Sequence, residues 1–200
     1  MNILTDRPPT SVKVGEETVT IRSDFRTGIA FELAVEEGEE NILKLLKLYF
    51  DSIPKNTAEA VKAILWFFRC GSEKKKDSGN GGNGKQGYSF ATDQTAIYAD
   101  FLKHYSIDLA SANLHWWTFR ALLLGLPDES NFKKRVYYRT CDLKKLPKSE
   151  RERIKKIRKE IEINIKTGGK LSLIERNSKM LEYVAKRSAD AQESEVGING

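Results

Sequence analysis

Residues 113–126 read NLHWWTFRALLLGL, and NFKKRVYYRTCDL follows at 131–143. The first of these stretches holds two of the three tryptophans and the densest apolar run of the chain. Its apolar side chains recur at i, i+3, i+7 and at i, i+4, i+7, which places two adjoining apolar faces on one helix. They are Trp116, Phe119 and Leu123, then Trp117, Ala121 and Leu124. Such a helix is typical of a protein interior, so this stretch predicts the centre of a helical core and not a catalytic site.

Apolar periodicity predicts further helices on both sides of this centre. Ser23 or Asp24 can cap a helix that begins at Phe25, with Ile29 and Leu33 on its apolar face. Asn56 or Thr57 can cap another helix in the same way. The remaining predicted helices are 41–50, 57–69, 92–105, 129–138, 147–166 and 173–189, where Thr92 or Asp93 caps the fourth helix of the chain.

Two short runs near the N-terminus alternate polar and apolar residues. Ser11–Val14 and Thr18–Ile21 flank Gly15-Glu16, and a pair of β-branched runs around a glycine predicts a β-hairpin. A lone hairpin is marginally stable in water, so we expect it to pack on the helices or to pair with another chain. The fold class is therefore mainly α, a helical domain with a short N-terminal β-hairpin and a basic C-terminal helical extension.

Residues 71–87, GSEKKKDSGNGGNGKQG, have the composition of a flexible loop. They are not a phosphate-binding loop, because Gly84-Lys85 is followed by Gln86 where that motif needs serine or threonine. The predicted organisation is a helical domain at 1–143 that contains this loop, a basic helical appendage at 144–189, and a disordered tail at 190–200.

Positive charge is concentrated in the C-terminal third. Residues 1–142 carry 19 basic and 19 acidic side chains, whereas residues 143–187 carry 15 basic and 6 acidic ones. Such a segment attracts acidic protein surfaces or phosphates. Because acidic residues are interleaved and no aromatic residue lies between 143 and 182, an acidic protein partner or a solvated face is favoured over nucleic acid.

The sequence contains no recognisable catalytic or metal-binding motif. His104 and His115 have no Cys, Asp or Glu at metal-ligand spacing, and Asp100 with His104 suits a surface hydrogen bond. Cys70 and Cys141 lie far apart, which indicates two reduced thiols in a cytosol. No apolar run is long enough to span a bilayer, and we see no secretory signal. We therefore predict a cytoplasmic protein that is not an enzyme and that needs no cofactor or metal and no membrane.

Four segments together resemble the bacteriophage gene-product-fifteen family. They are MNILTDRPPTSVKV with TIRSDFRTGIAFEL, AVKAILWFFRCG, YSFATDQTAIYADFLKHYSIDL, and LHWWTFRALLLGLPDESNFKKRVYYRTCDL. The resemblance runs in order from residue 1 to about 143, and the chain departs from the family beyond that point.

Genes of this family typically lie between those of the major tail protein and the tape-measure protein. The resemblance therefore implies a tail assembly chaperone, which binds the tape-measure protein, a long amphipathic helix, and recruits tail-tube subunits of the major tail protein. A structural component of the virion is the first alternative, and a basic nucleic-acid-binding protein is the second. Self-association is a further hypothesis.

We expect partner binding at the apolar helices 57–69 and 114–126, with help from the basic extension. An apolar helix face can form a groove for a partner helix, or it can simply fill the core, and the sequence leaves both readings open. The candidate partner-binding residues are Trp66, Phe67, Phe68, Trp116, Trp117, Phe119, Arg120, Lys155 and Arg158.

Overall fold

A computed structural model describes residues 2–39, 41–72 and 86–163. This part of the chain contains a two-stranded sheet, seven α-helices and one short 3-10 helix. The elements in chain order are β1 (Ser11–Val14), β2 (Glu17–Thr20), α1 (Phe25–Glu36), α2 (Ile42–Tyr49), α3 (Thr57–Phe68), α4 (Phe90–Tyr105), α5 (Trp116–Gly125), α6 (Asn131–Thr140), the 3-10 helix (Leu143–Lys145) and α7 (Lys148–Glu160).

The predicted mainly α fold with an N-terminal hairpin is confirmed. β1 and β2 are antiparallel, with Val12 opposite Val19 and Val14 opposite Glu17. Gly15 has a φ of +62°, the left-handed conformation that glycine adopts without strain in a tight turn. Val12 and Val14 are buried, and β1 packs against α3. The hairpin is therefore stabilised by the helices of its own chain.

Helix α1 is the central helix, because it packs against α2, α4 and α5. Its N-cap is Asp24, as predicted, and the Asp24 side chain accepts a hydrogen bond from the Arg26 N–H group. The predicted apolar face is confirmed only in part: Phe25 is buried, whereas Ile29 and Leu33 are partly buried and pack against the edge of the core. The buried face consists of Phe25, Gly28, Phe31, Glu32, Val35 and Glu36. Because Glu32 and Glu36 lie on the buried face, that face does not show a regular apolar periodicity in the sequence.

Helices α3 and α5 interlock through tryptophan side chains. The Trp116 Nε1–H group donates to the Phe68 carbonyl at 2.9 Å, and the Trp117 Nε1–H group donates to the Phe67 carbonyl at 2.8 Å. The rings of Trp116 and Phe68 also stack, with centroids 5.1 Å apart. The last carbonyls of a helix lack partners within that helix, so the Trp116 indole satisfies the Phe68 carbonyl, while the Phe67 carbonyl also accepts from the Cys70 N–H group at 2.9 Å.

Helices α1 and α5 begin side by side. The Phe25 N–H group donates to the Leu114 carbonyl at 3.0 Å, and the Trp116 N–H group donates to the Ser23 carbonyl at 2.8 Å. His115 caps α5, because its Nδ1 atom accepts a hydrogen bond from the Trp117 N–H group. This pair of backbone bonds fixes the position of the central stretch relative to α1.

The C-terminal helices are held by buried carboxylates. Asp100 on α4 accepts hydrogen bonds from the N–H groups of Asn131 and Phe132 at the start of α6. Asp93 forms a buried, two-point ion pair with Arg139 of α6, with distances of 2.6 and 2.9 Å. Because an unpaired buried charge is costly, these contacts fix α4 and α6 in one arrangement.

Helix α7 packs onto α6. Ile154 is fully buried and Ile161 nearly so, while the Arg139 Nε–H group donates to the Ile161 carbonyl at 2.8 Å. Arg158 of α7 donates to the carbonyls of Tyr138 and Cys141. The basic helix is thus attached to the body of the protein through Ile154, Ile161 and these hydrogen bonds.

Several predicted helix bounds differ from the structure, among them the predicted helix 129–138, which is observed as α6 at Asn131–Thr140. Helix α4 begins at Phe90, before the predicted cap at Thr92 or Asp93, because Ser89 is its N-cap and Asp93 is buried. Helix α7 ends at Glu160, short of the predicted residue 166. Most of the predicted loop at 71–87, the predicted helix at 173–189 and the predicted tail at 190–200 lie outside the described residues.

Candidate functional site: an apolar groove between two helices

An apolar groove lies between α1 and α4 and has a volume of about 370 Å3. Its floor and walls come from two helices, the connector before α5, and α5 itself. The lining residues are Phe25, Ile29, Phe90, Gln94, Thr95, Ile97, Tyr98, Leu109 and Phe119. Six of these nine side chains are aliphatic or phenylalanine, so the groove offers mainly apolar contacts to whatever enters it.

The floor of the groove is a rigid stack of phenylalanine rings. Phe119 stacks on Phe25 with centroids 5.0 Å apart and on Phe101 with centroids 5.2 Å apart. The ring centroids of Phe90 and Phe119 are 6.0 Å apart. Such offset stacks add to the energy of burial, and they hold the floor in one shape. A ligand would therefore meet a preformed surface.

One wall of the groove is fastened by Arg26, which the sequence analysis did not single out. Its guanidinium donates to the carbonyls of Leu109, Ala110 and Ala112 at 2.8–3.0 Å and lies 4.5 Å from the centroid of the Phe25 ring. Arg26 therefore ties the connector between α4 and α5 to the start of α1. Its partners are backbone carbonyls 83 to 86 residues away, and no local sequence pattern reports such contacts.

Tyr98 forms part of the rim, with 40% of its surface exposed. Its hydroxyl donates to the Asp108 carboxylate at 2.8 Å. The Ala110 N–H group and this hydroxyl lower the pKa of Asp108, while the hydrogen bond to Asp108 raises the pKa of Tyr98. Both effects keep a neutral phenol and an anionic carboxylate at this end of the groove. The rim is thus polar and the floor apolar.

A buried polar cluster lies next to the groove and contains Glu32, Tyr88 and Arg120. The Arg120 guanidinium donates to the Tyr88 hydroxyl at 2.5 Å and lies 5.5 Å from the centroid of Trp116. Glu32 is 2% exposed, and burial raises its pKa to about 7, against the opposing attraction of Arg120. Burial likewise raises the pKa of Tyr88. The cluster therefore holds one charged guanidinium and a carboxyl group that keeps its proton to a much higher pH than an exposed glutamate does.

Glu36, one helical turn after Glu32, joins α1 to the residues before α4. It accepts hydrogen bonds from the Gln86 side-chain amide at 2.6 Å and from the Ser89 hydroxyl at 2.7 Å. Gln86 also donates to the Tyr88 carbonyl at 2.9 Å. Helix α1, which supplies one wall of the groove, is therefore fixed to the residues at the start of α4, which supplies the opposite wall.

The aromatic residues predicted to bind a partner lie mostly in the core. Phe67, Phe68, Trp116, Trp117 and Phe119 are buried, and only Phe119 reaches the groove, where it forms the floor. Trp66 is 37% exposed and packs edge-on against Trp117, away from the groove. The helix faces at 57–69 and 114–126 thus fill the interior, and the open apolar surface lies between α1 and α4.

The predicted basic residues differ in their roles. Arg120 belongs to the buried polar cluster, and Arg158 is half-buried and holds α7 to α6. Lys155 is exposed and pairs with Glu152 at 2.8 Å. Of these three cations, only Lys155 is exposed to solvent.

Within residues 2–39, 41–72 and 86–163, no three His, Cys, Asp or Glu side chains are grouped so that they could hold a metal ion. In the same ranges, no helix combines the length and the apolar character needed to cross a membrane.

Comparison with known families gives one match. A family model described as "Bacteriophage Gp15 protein" matches residues 4–163. The match continues past residue 143 and includes the 3-10 helix and α7. No curated protein and no solved structure matches the chain.

Proposed function

Because the chain belongs to the bacteriophage Gp15 protein family, we propose that it is a tail assembly chaperone that holds the tape-measure protein in the host cytoplasm. Family membership indicates a phage structural or assembly-related protein. The finer assignment is our proposal: the protein works by binding, without catalysis, and delivers the tape-measure protein to subunits of the major tail protein.

The observation that carries this proposal is the apolar groove between α1 and α4. Amphipathic helices bind by laying their apolar face into a groove of this kind, with anchors at i, i+3, i+4 and i+7. A long amphipathic helix such as a tape-measure protein needs its apolar face covered before assembly. Ile29 and Leu109, which are partly buried, supply apolar contact above the buried phenylalanine floor, while Gln94, Thr95 and Tyr98 supply a polar rim.

The rigidity of the groove supports binding of a helix without rearrangement. Arg26 fixes the connector, and the ring stack fixes the floor. A preformed site avoids the entropic cost of ordering side chains on association. The affinity would then depend on the apolar area that the partner helix buries.

The test is co-expression with the tape-measure protein of the same genome, followed by purification through a tag on this chain. The informative variant is Gln94→Arg. Gln94 is exposed on α4 and lines the groove, so an arginine there places a charge in front of the apolar floor without disturbing the core. The matched control is Thr92→Arg, because Thr92 is exposed on the same helix but does not line the groove.

We expect the wild-type chain and the Thr92→Arg variant to keep the tape-measure protein soluble and to co-purify with it. With Gln94→Arg, the co-purified amount should fall about tenfold. An insoluble tape-measure protein with the wild-type chain would refute the chaperone proposal. Stoichiometric amounts of this chain in purified virions would favour the alternative of a structural tail component.

A further inference from the structure

The exposed face of α7 carries a one-sided set of cations. Lys148, Lys156 and Lys159 are exposed, and so are Arg153 and Lys155. Positions 148 and 159 are separated by three helical turns, so the face extends over about 16 Å. Glu152 and Glu160 are the acidic residues on this face. The α7 face therefore has a net positive charge along its whole length.

The orientation of this face is fixed by contacts on the opposite side of the helix. Ile154 is fully buried, and Arg158 donates to the Tyr138 and Cys141 carbonyls at 2.5 and 2.6 Å. Arg139 binds the Ile161 carbonyl at the end of the helix. Rotation of α7 would break all of these contacts, so the lysines are held facing away from the protein.

Most of this positive charge is not neutralised locally. In the described part of the chain, Lys155 is the one cation of the α7 face that forms an ion pair, with Glu152. Lys144 and Lys145, which precede the helix, are exposed as well. Residues 133–163 carry 13 basic and 5 acidic side chains, whereas the described residues before 133 carry 11 basic and 15 acidic ones. Among the described residues, basic side chains therefore predominate at 133–163, and acidic ones predominate before 133.

We propose that this basic face binds an acidic segment of a partner protein. The face consists of Lys144, Lys145, Lys148, Arg153, Lys155, Lys156 and Lys159. This surface is separate from the apolar groove, and the inference does not depend on the function proposed for the groove.

The composition of the face favours a protein segment over nucleic acid. Six of its seven cations are lysines, which act as point charges and attract carboxylates without requiring a fixed geometry. Helix α7 contains no aromatic side chain on which a base could stack. Glu152 and Glu160 can pair with lysines of a mixed-charge protein segment, whereas a phosphate backbone offers them no cation.

The test uses the full chain and a fluorescein-labelled peptide of about 20 residues in which every second residue is glutamate, at about 150 mM salt. The variant is Lys148→Gln/Lys156→Gln/Lys159→Gln, which leaves the Lys155–Glu152 pair and the buried contacts of α7 intact. The control is Lys13→Gln/Lys47→Gln/Lys55→Gln. Those lysines are exposed and form no ion pair among the described residues, so both variants lose the same charge.

We expect the α7 variant to bind the peptide about tenfold more weakly than the wild type, and the control variant to bind within about twofold of it. Circular dichroism should show unchanged helix content in both. Equal weakening by the two variants, or no binding by the wild type, would overturn the proposal. Tighter, α7-dependent binding of a thymidine oligonucleotide would identify a nucleic-acid surface instead. Because Gln94→Arg should leave peptide binding unchanged, failure of the groove and failure of the basic face are distinguishable.

Discussion

Gly28 of α1 lies directly against the indole of Trp116, so that a Cβ atom at position 28 would come within 2.3 Å of the ring. The absence of a side chain at this position is what allows the central helix and α5 to approach. The contact also sets the position of Phe119, which forms the floor of the groove one helical turn later.

The first prediction concerns this contact. Gly28→Ala adds helix propensity worth about 1 kcal/mol, but its methyl group would clash with the buried indole ring of Trp116. We expect the clash to win, with a net loss of about 1–3 kcal/mol in the free energy of unfolding, measured by urea denaturation. In a Trp116→Phe background the loss should shrink. An unchanged or higher stability in the wild-type background would contradict the close packing described here.

The second prediction concerns the pH dependence of stability at Glu32. Its pKa is raised from 4.5 to about 7 in the folded protein. The folded state therefore binds the proton more tightly, and stability is lost as the pH rises from about 4.5 to about 7. The loss from this residue amounts to about 3 kcal/mol.

The measurement for Glu32 is urea denaturation at several pH values between 5 and 8. Glu32→Gln should abolish this part of the pH dependence, because glutamine does not titrate. Glu37→Gln serves as the control, since Glu37 is the exposed C-cap residue of the same helix. If Glu32→Gln and Glu37→Gln gave the same profile as the wild type, Glu32 would not be a buried acid.

The third prediction concerns the ion pair between Asp93 and Arg139. Asp93→Asn leaves the buried guanidinium without a counter-charge, and we expect a loss of about 3–5 kcal/mol in the free energy of unfolding. Asp93→Leu combined with Arg139→Met should cost less than the sum of the two single changes, because no unpaired charge stays in the core, although the Ser89 N–H group and the Gly87 and Ile161 carbonyls lose their side-chain partners. Urea denaturation of Asp93→Asn, of Asp93→Leu and Arg139→Met alone, and of the double variant measures both effects, and additivity of the two single changes would rule out direct pairing.

The fourth prediction concerns His115, whose two ring nitrogens have different roles. Nδ1 accepts the Trp117 N–H group, and Nε2 lies 3.0 Å from the Pro9 carbonyl, to which it donates. Burial lowers the pKa of His115, so stability from this residue is lost as the pH falls through about 6.5, the value of a free histidine. The sign of the pH dependence is therefore opposite to that of Glu32, which loses stability as the pH rises.

Proton NMR of the His115 ring should show a midpoint below 6.5, the value of a free histidine. His115→Ala should cost about 1 kcal/mol through loss of the helix cap, and His115→Asn should recover part of it, since asparagine is a good cap. If the alanine and asparagine variants were equally unstable, the cap would not be the reason for the loss.

Local signals in the sequence predicted most of the fold. Asp24 and Asn56 were recognised as helix caps, and Gly15 was recognised as the turn of the hairpin. Each of these roles depends on the residue type and on its near neighbours. The start of α4 was missed because Asp93 resembles a cap, whereas its carboxylate pairs with an arginine 46 residues away.

The groove could not be predicted for a related reason. It forms where α1 meets α4, two helices with α2 and α3 between them in the chain, and Arg26 reaches carbonyls that any sequence could supply. The apolar helices at 57–69 and 114–126 were the stronger signal, but strong apolar character all round a helix is a property of the core. A binding surface at the edge of a helix face, such as Ile29 and Tyr98, has a weaker pattern.

The two indole hydrogen bonds between α5 and α3 join segments of the chain that lie on opposite sides of residues 73–85. The two halves therefore recognise each other through contacts in the core, and this recognition does not require an unbroken backbone between residues 73 and 85. A chain cut between positions 73 and 85 should yield two fragments that reassemble when they are mixed. The same position offers a place to insert a fluorescent or affinity label into this phage protein without separating its halves.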